Sequence, residues 1–284
     1  MNLHVKRGEI HSLIGQNKAG ITSLLKLLTG LWKPTSGEIE LFGERIDKNA
    51  YLYLEKMGSV IESPIFYEHR TGFENLMIHG AYLGIYDHLQ IIDALALFDL
   101  QGMEHNPVRS YSFGLKQKLG IIRAIVMKPE LLILDEPMKG LDPIEKKELR
   151  QVIRNINHQY GTTVIISSHH LEDLEQITDT VGVIHDGKLI KEEAMEQIKA
   201  KSLAYIDLTT DDDHKTAYLL EKKLHIQHFQ VLHSGQIRIF KSPLPVHEIV
   251  NQLVTHHIQI HEITQNQHPL ERYILNCNKG SEKH

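Results

Sequence analysis

The sequence predicts an α/β protein built on a mainly parallel sheet, followed by a smaller α+β unit. Three observations carry this. Compact apolar runs such as LLILD (131–135) and TVIISS (163–168) have the length and β-branched content of buried strands, and they alternate with segments of helical period. A glycine-bounded stretch, GQNKAGITS (15–23), joins an apolar run to a leucine-spaced one in strand, loop, helix order. Near Ala200 the pattern changes to short alternating segments, which places a boundary between 1–200 and 201–284.

Taken in order, LHV, the turn KRGE and IHSLIG read as two short strands, the second apolar enough to be buried. TSLLKLLTGLW has leucines at helical spacing, and KPTSGEIELFG is a proline and glycine turn followed by an alternating strand. Gly72 to Phe98 is helical in period, and the strands LLILD and TVIISS follow. In the second unit, DDDH and the helical AYLLEKKL precede two alternating segments, QVLH and QIRIFK, separated by a Ser-Gly turn. A helical PVHEIVNQLV and a strand IQIHEI complete it, and the terminal KGSEKH is expected to fray.

Composition excludes several classes. With 284 residues, 41% hydrophobic and 24% charged, the chain has the make-up of a soluble globular protein. A net charge of −5 without a block of Lys and Arg gives no footprint for a nucleic-acid partner. The single cysteine, Cys277, fits a reducing compartment, with the cytoplasm as the expected location. No apolar run reaches the roughly 18 to 20 residues that cross a bilayer, so a membrane role is expected to come through a partner. The twenty histidines show no HExxH or comparable ligand spacing.

Chemistry is concentrated in four places. Gly15 and Gly20 keep the GxxxxGK[ST] spacing, in which backbone N–H groups and a helix N-terminus surround phosphate oxygens. Thr22 stands where a hydroxyl would meet Mg²⁺, but Ile21 occupies the lysine position and Lys18 a position where glycine is common. LLILDEP is a buried strand ending in two carboxylates, so that Asp135 can reach Mg²⁺ through water and Glu136 can polarise an attacking water. His169 ends the strand TVIISS, where it could hold a γ-phosphate, and its neighbour His170 reads as a surface residue. YSFGLKQKLGIIRAI puts Ser112 and Gly114 at the start of an amphipathic helix, a second phosphate-seeking surface.

With these motifs in order, residues 1–200 resemble the ATP-binding subunit of an ABC transporter. The family's Walker A loop corresponds to Gly15, Gln16, Asn17, Lys18, Ala19, Gly20, Ile21, Thr22 and Ser23. Its signature corresponds to YSFGLKQ, with Ser112, Gly114 and Gln117, and its Walker B strand to LLILDEP. Its D-loop corresponds to GLDP, with Asp142, and its switch histidine to His169. IESPIFYEHRTGFENL is similar to the bacitracin and lantibiotic resistance branch, which commonly has a glutamate at the Q-loop position, here Glu62; the appendage ending in HPLERYIL is similar to that branch too.

The resemblance implies a P-loop ABC-type nucleotide-binding domain, a mainly parallel sheet with a helical subdomain, using ATP and Mg²⁺. Thr22, Glu62 and Asp135 would serve the metal, and Glu136 and His169 the chemistry. It implies two partners: a separately encoded transmembrane permease, and a second ATP-binding subunit forming a homo- or heterodimer. Ser112 and Gly114 would then act in trans, and a monomer would not hydrolyse ATP. The protein would be cytoplasmic, peripheral on the inner face of the cell membrane, and would export or clear an antimicrobial peptide.

Two departures qualify this. Ile21 removes the Walker lysine, and the chain starts only about fourteen residues before the loop, so the family's first strand and adenine-stacking aromatic are expected to be absent. A late start and a decayed copy both account for this. A poor or non-hydrolysing subunit on a permease stands as the alternative to a working ATPase. A third reading, an ABC-type protein of DNA repair or translation, lacks its long coiled-coil insert or second ATPase domain.

Overall fold

A computed structural model describes residues 1–15, 18–46, 51–84, 88–98, 100, 102, 105–169, 171–201, 205–233 and 235–266. The tail with HPLERYIL and Cys277 lies outside them, as do Gln16, Asn17 and His170. Two compact units divide the chain, Met1–Met195 and Glu196–His284.

The first unit is organised around β1, Ile10–Gly15, whose residues Ile10 to Ile14 are all buried. It leads into α1, Ile21–Leu28, and then a two-residue hairpin, β2 (Glu40–Leu41) and β3 (Glu44–Arg45). Phe42 and Gly43 turn that hairpin with φ of 58° and 79°, the paired positive values of a type I′ turn. Next come β4 (Met57–Val60), α2 (Gly72–Tyr82), α3 (His88–Ala96), α4 (Phe113–Ile125) and β5 (Leu131–Leu134). After them are α5 (Pro143–Tyr160), β6 (Thr163–Ser167), α6 (Leu171–Glu175), β7 (Thr180–His185) and β8 (Lys188–Ala194). The sheet runs β4-β5-β6-β1-β7-β8, parallel except for the antiparallel edge strand β8.

The continuous apolar runs are the central parallel strands, because a strand covered on both faces has no polar side to alternate. The expected strand LHV does not form. Leu3 and Val5 instead lay side chains on a cluster of Leu13, Leu25, Leu131 and Ile165, contributing burial without a ladder. Helix ends follow sequence chemistry. Asp142 caps α5 in a reciprocal box with Glu145, Pro143 opens its first turn, and Gly161 closes it at φ 65°.

Helix α2 carries half-buried His79, whose pKa is lowered to about 4, first by burial and then by the charge of Arg123 on α4. The unfolded chain therefore binds the extra proton between about pH 6.5 and 4, so this contribution to stability is full above 6.5 and declines toward 4. Urea unfolding at pH 7 and pH 5 should show a smaller acid-side loss for His79→Gln than for the parent chain. Equal losses would remove His79 as the cause.

The division falls at α7, Met195–Lys201. Beyond it the second unit is β9 (Tyr205–Thr210), α8 (Asp213–Lys222), β10 (His228–His233), β11 (Gln236–Lys241), α9 (Val246–Thr255) and β12 (Ile260–Asn266). Its antiparallel sheet has the order β10-β11-β9-β12. This βαββαβ succession is a split βαβ, ferredoxin-like arrangement. Ile206, Leu208, Ile237 and Ile239 from the central strands meet Leu219, Leu220, Ile249 and Leu253 from the helices, giving the unit its own core.

Candidate functional site

The loop after β1 is shaped by close approach. A Cβ on Gly15 would lie 2.5 Å from the Ile184 carbonyl oxygen, so a side chain there would push β7 away. Gly20, with φ 96°, turns the chain into α1 and leaves that helix without a side-chain cap, so its first amides face the loop. Ala19 is buried, and its carbonyl accepts the Gly187 amide at 2.8 Å.

Lys18 is exposed and held at φ 71°, a conformation that is strained for a residue with a Cβ. Ile21 is half-buried, packed on the cluster that includes Leu13, Ala19 and Leu25. Its Cδ1 would sit 3.3 Å from a Cβ at Gly15, so the alkyl chain folds back along the loop. No cation occupies that position.

Thr22 and Ser23 open α1 together with Ile21. The Thr22 hydroxyl donates to Asp135 Oδ2 at 2.8 Å, joining the start of α1 to the residue after β5. Asp135 is 4% exposed, and its other oxygen accepts the Ser167 hydroxyl at 2.6 Å. Ser167 Oγ also accepts the Glu136 amide at 2.8 Å, fixing a residue whose φ is 48°. That turn sends the Glu136 carboxylate to His169 Nδ1, 2.7 Å away. Thr22, Asp135, Ser167, Glu136 and His169 thus form one hydrogen-bonded chain at the carboxyl ends of β1, β5 and β6, where open parallel sheets bind ligands.

Glu62, just beyond β4, has φ 58°, and its carboxylate accepts Lys26 Nζ at 2.8 Å. Lys26 is one helical turn after Thr22, and its ammonium also lies 5.0 Å from the centre of the Trp32 ring. A separate group forms where α4 and α5 begin. Ser112 caps α4 by accepting the Leu115 amide at 3.2 Å. A Cβ on Gly114 would meet the Glu145 carboxylate at 2.8 Å, and that carboxylate is itself held by the Asp142 amide at 3.1 Å. Gln117 is buried, 3% exposed, within α4. The expected site residues therefore fall into two groups within the unit, the loop with its carboxylates and the paired helix starts, with Glu62 beside the first.

This sheet order and the glycine-bounded loop between β1 and α1 define a nucleotide-binding domain of the phosphate-loop type. The chain belongs to the family of ABC transporter ATP-binding proteins. A family profile described as ABC transporter matches residues 1–139. The uncharacterized ABC transporter ATP-binding protein YcbN of Bacillus subtilis is 40% identical over 281 residues, covering 99% of this chain and 92% of that protein. The bacitracin transport ATP-binding protein BcrA of Bacillus licheniformis is 40% identical over 276 residues, covering 97% and 90%. A solved ATP-binding subunit of an ABC transporter superposes with a TM-score of 0.63 at 28% identity, covering 70% of this chain and 84% of that one.

The residues present fit ATP and Mg²⁺ in part. Half-buried Thr22 and buried Asp135, bonded to each other, are hard oxygen donors of the kind Mg²⁺ takes, and the start of α1 suits phosphate oxygens. The cation expected inside the loop is an alkyl group instead. Sequence reasoning missed Ser167, which holds the Asp135 carboxylate and the Glu136 backbone amide, and Lys26, which pairs with Glu62. Ser167 lay within a segment read only as a strand, and its position at the strand end beside His169 was the available signal.

Proposed function

We propose that this chain energises a membrane permease encoded separately, and that the pair exports or clears an antimicrobial peptide of the bacitracin or lantibiotic type. The observation that carries the ATPase part is the unbroken chain Thr22–Asp135–Ser167–Glu136–His169 beside the Gly15–Gly20 loop. Bound ATP and Mg²⁺ would supply the phosphoryl group and the charge that stabilises its transfer. The chain's own residues divide the remaining work. Thr22 and Asp135 hold oxygens toward the metal, Glu136 takes a proton from water, and His169 keeps the Glu136 carboxylate in place. Glu62 lies close enough to α1 to sense the same metal. Ser112 and Gly114, gathered with Asp142, suit a surface that completes the site of a second subunit, homo- or heterodimeric.

The peptide substrate rests on likeness to the bacitracin transport protein, which extends through both units. The permease reading is supported by exposed apolar side chains on and around the helical part: Ile65 at 84%, Tyr82 at 78% and Leu89 at 67% exposure, with Tyr67 and Ile92 beside them in sequence. No helix among the described residues is long and apolar enough to cross a membrane. Co-expression with the permease should move the chain from the soluble to the membrane fraction and raise the bacitracin concentration that cells survive. Equal membrane association without the permease would sink the proposal.

A second reading is favoured by one observation, the apolar packing of Ile21. The chain would then keep the scaffold and the permease contact while hydrolysing ATP poorly or not at all. Phosphate release by the purified chain with its permease separates the two.

A further inference from the structure

Residues 62–68 leave β4 as a segment whose side chains alternate. Ile65 and Tyr67 point outward, 84% and 57% exposed, while Phe66 is 9% exposed. The inward side chains rest on one face of α4. A Cβ on Gly120 would come within 2.7 Å of Pro64 Cβ, so that glycine provides the seat for the proline. One turn earlier, Lys116 Nζ donates to Glu68 Oε1 at 2.8 Å. Nearly a turn later, Arg123 donates Nη1 to the Ile65 carbonyl at 2.9 Å and lays its guanidinium 4.8 Å from the Phe66 ring centre.

Among the described residues no carboxylate pairs with Arg123, and burial lowers its pKa. A half-buried cation whose company is a carbonyl, a ring and a neutral histidine is a costly way to fill space, and an aliphatic side chain would pack there more cheaply. What arginine adds is a rigid fork of donors aimed at the backbone of the segment, independent of the side chain at 65. At the other end of the same segment Glu62 meets Lys26, and Lys26 meets Trp32.

We propose that Arg123 is a positioning residue for Glu62: by clasping the Ile65 carbonyl it fastens the 62–68 segment to α4 and so presents the Glu62 carboxylate to Lys26 on α1, beside Thr22. Its meaning for nucleotide coupling rests on the reading of Glu62 given above. The clasp itself belongs to the chain alone and is tested without nucleotide.

Trp32 is the single tryptophan of the chain, which makes its emission a reporter of Lys26. Hydrogen exchange and Trp32 emission are measured on the nucleotide-free full chain, comparing the parent with Arg123→Met. Losing a hydrogen bond from a charged donor should speed exchange in peptides covering 62–68 by about tenfold or more, while β5 and α5 keep their protection. Trp32 emission should move in the same direction as in Glu62→Gln, because both changes release Lys26. Lys116→Ala, which loosens only the far end, should have a smaller effect on both readouts. Unchanged exchange in the segment overturns the proposal. So does a rise shared equally by β5 and α5, which would make Arg123 a general packing residue, or an unmoved Trp32 signal where Glu62→Gln moves it. If Arg123→Met does not fold, Arg123→Gln is held to the same criteria. A chain that binds no ATP would refute the functional reading and leave these results standing.

Discussion

Replacing Glu136 with Gln is expected to lower ATP hydrolysis by about two orders of magnitude or more, the usual loss when a positioned general base is removed. The structure makes this a selective change. A glutamine keeps the length of the side chain and still offers an oxygen to the proton on His169 Nδ1, so the 2.7 Å contact can survive. The backbone amide remains tied to Ser167, and the φ of 48° strains glutamine as it strains glutamate. Asp135 and Thr22 are untouched, so Mg²⁺ and nucleotide binding should change little. Only the ability to take a proton is lost. The measurement is phosphate release at saturating Mg-ATP with the permease present, made in an Ile21→Lys background if the parent rate is below detection. An unchanged rate would assign water activation to another group.

Ile21→Lys combined with Lys18→Gly should tighten ATP binding by about ten- to a hundredfold. A charge-assisted hydrogen bond contributes about 1.5 to 3 kcal/mol, and about 1.4 kcal/mol is a factor of ten in affinity. Hydrolysis should gain more, because one preorganised donor at a developing charge is typically worth about 10² to 10³ in rate. The path for the new side chain exists. Ile21 already folds back toward Gly15, and the stem of a lysine can follow it while the ammonium goes on to the phosphates. Some apolar contact with the cluster around Leu13 and Leu25 is given up. The partner change offsets this, since glycine at 18 relieves a non-glycine residue at φ 71°, worth about 1 kcal/mol. Titration with a fluorescent ATP analogue in Mg²⁺ reads the outcome. Micromolar binding by the unmodified chain, abolished by Lys18→Ala, would instead make Lys18 the displaced cation of the loop.

What the sequence revealed and what it hid have separate physical causes. β5 and β6 were legible because strands buried on both faces must be apolar throughout, and α5 because its cap, Pro143 and Gly161 are local signals. LHV looked like a strand, yet apolar character guarantees only burial, and Leu3 and Val5 obtain that by packing on a cluster. In the candidate site, the carboxylates stood out because they end a buried strand. Ser167, Lys26 and Arg123 did not, since each acts through a partner more than thirty residues away and nothing in its own neighbourhood marks the pairing.

The placement of β1 has a consequence for the order in which the protein can assemble. Ile10 pairs with Val164 and His11 with Thr180, so the strand that leads into the phosphate loop finds both of its neighbours only after β6 and β7 have been made. Contacts this distant in sequence are slow to close. During synthesis the loop emerges well before β6 and β7, and it is framed only once they have joined β1. Until then IHSLIG is an apolar segment with unmet backbone groups, open to association with other nascent chains. Nucleotide, which needs the framed loop, would have nothing to hold before β6 and β7 close, so it could stabilise the finished unit without guiding its early folding.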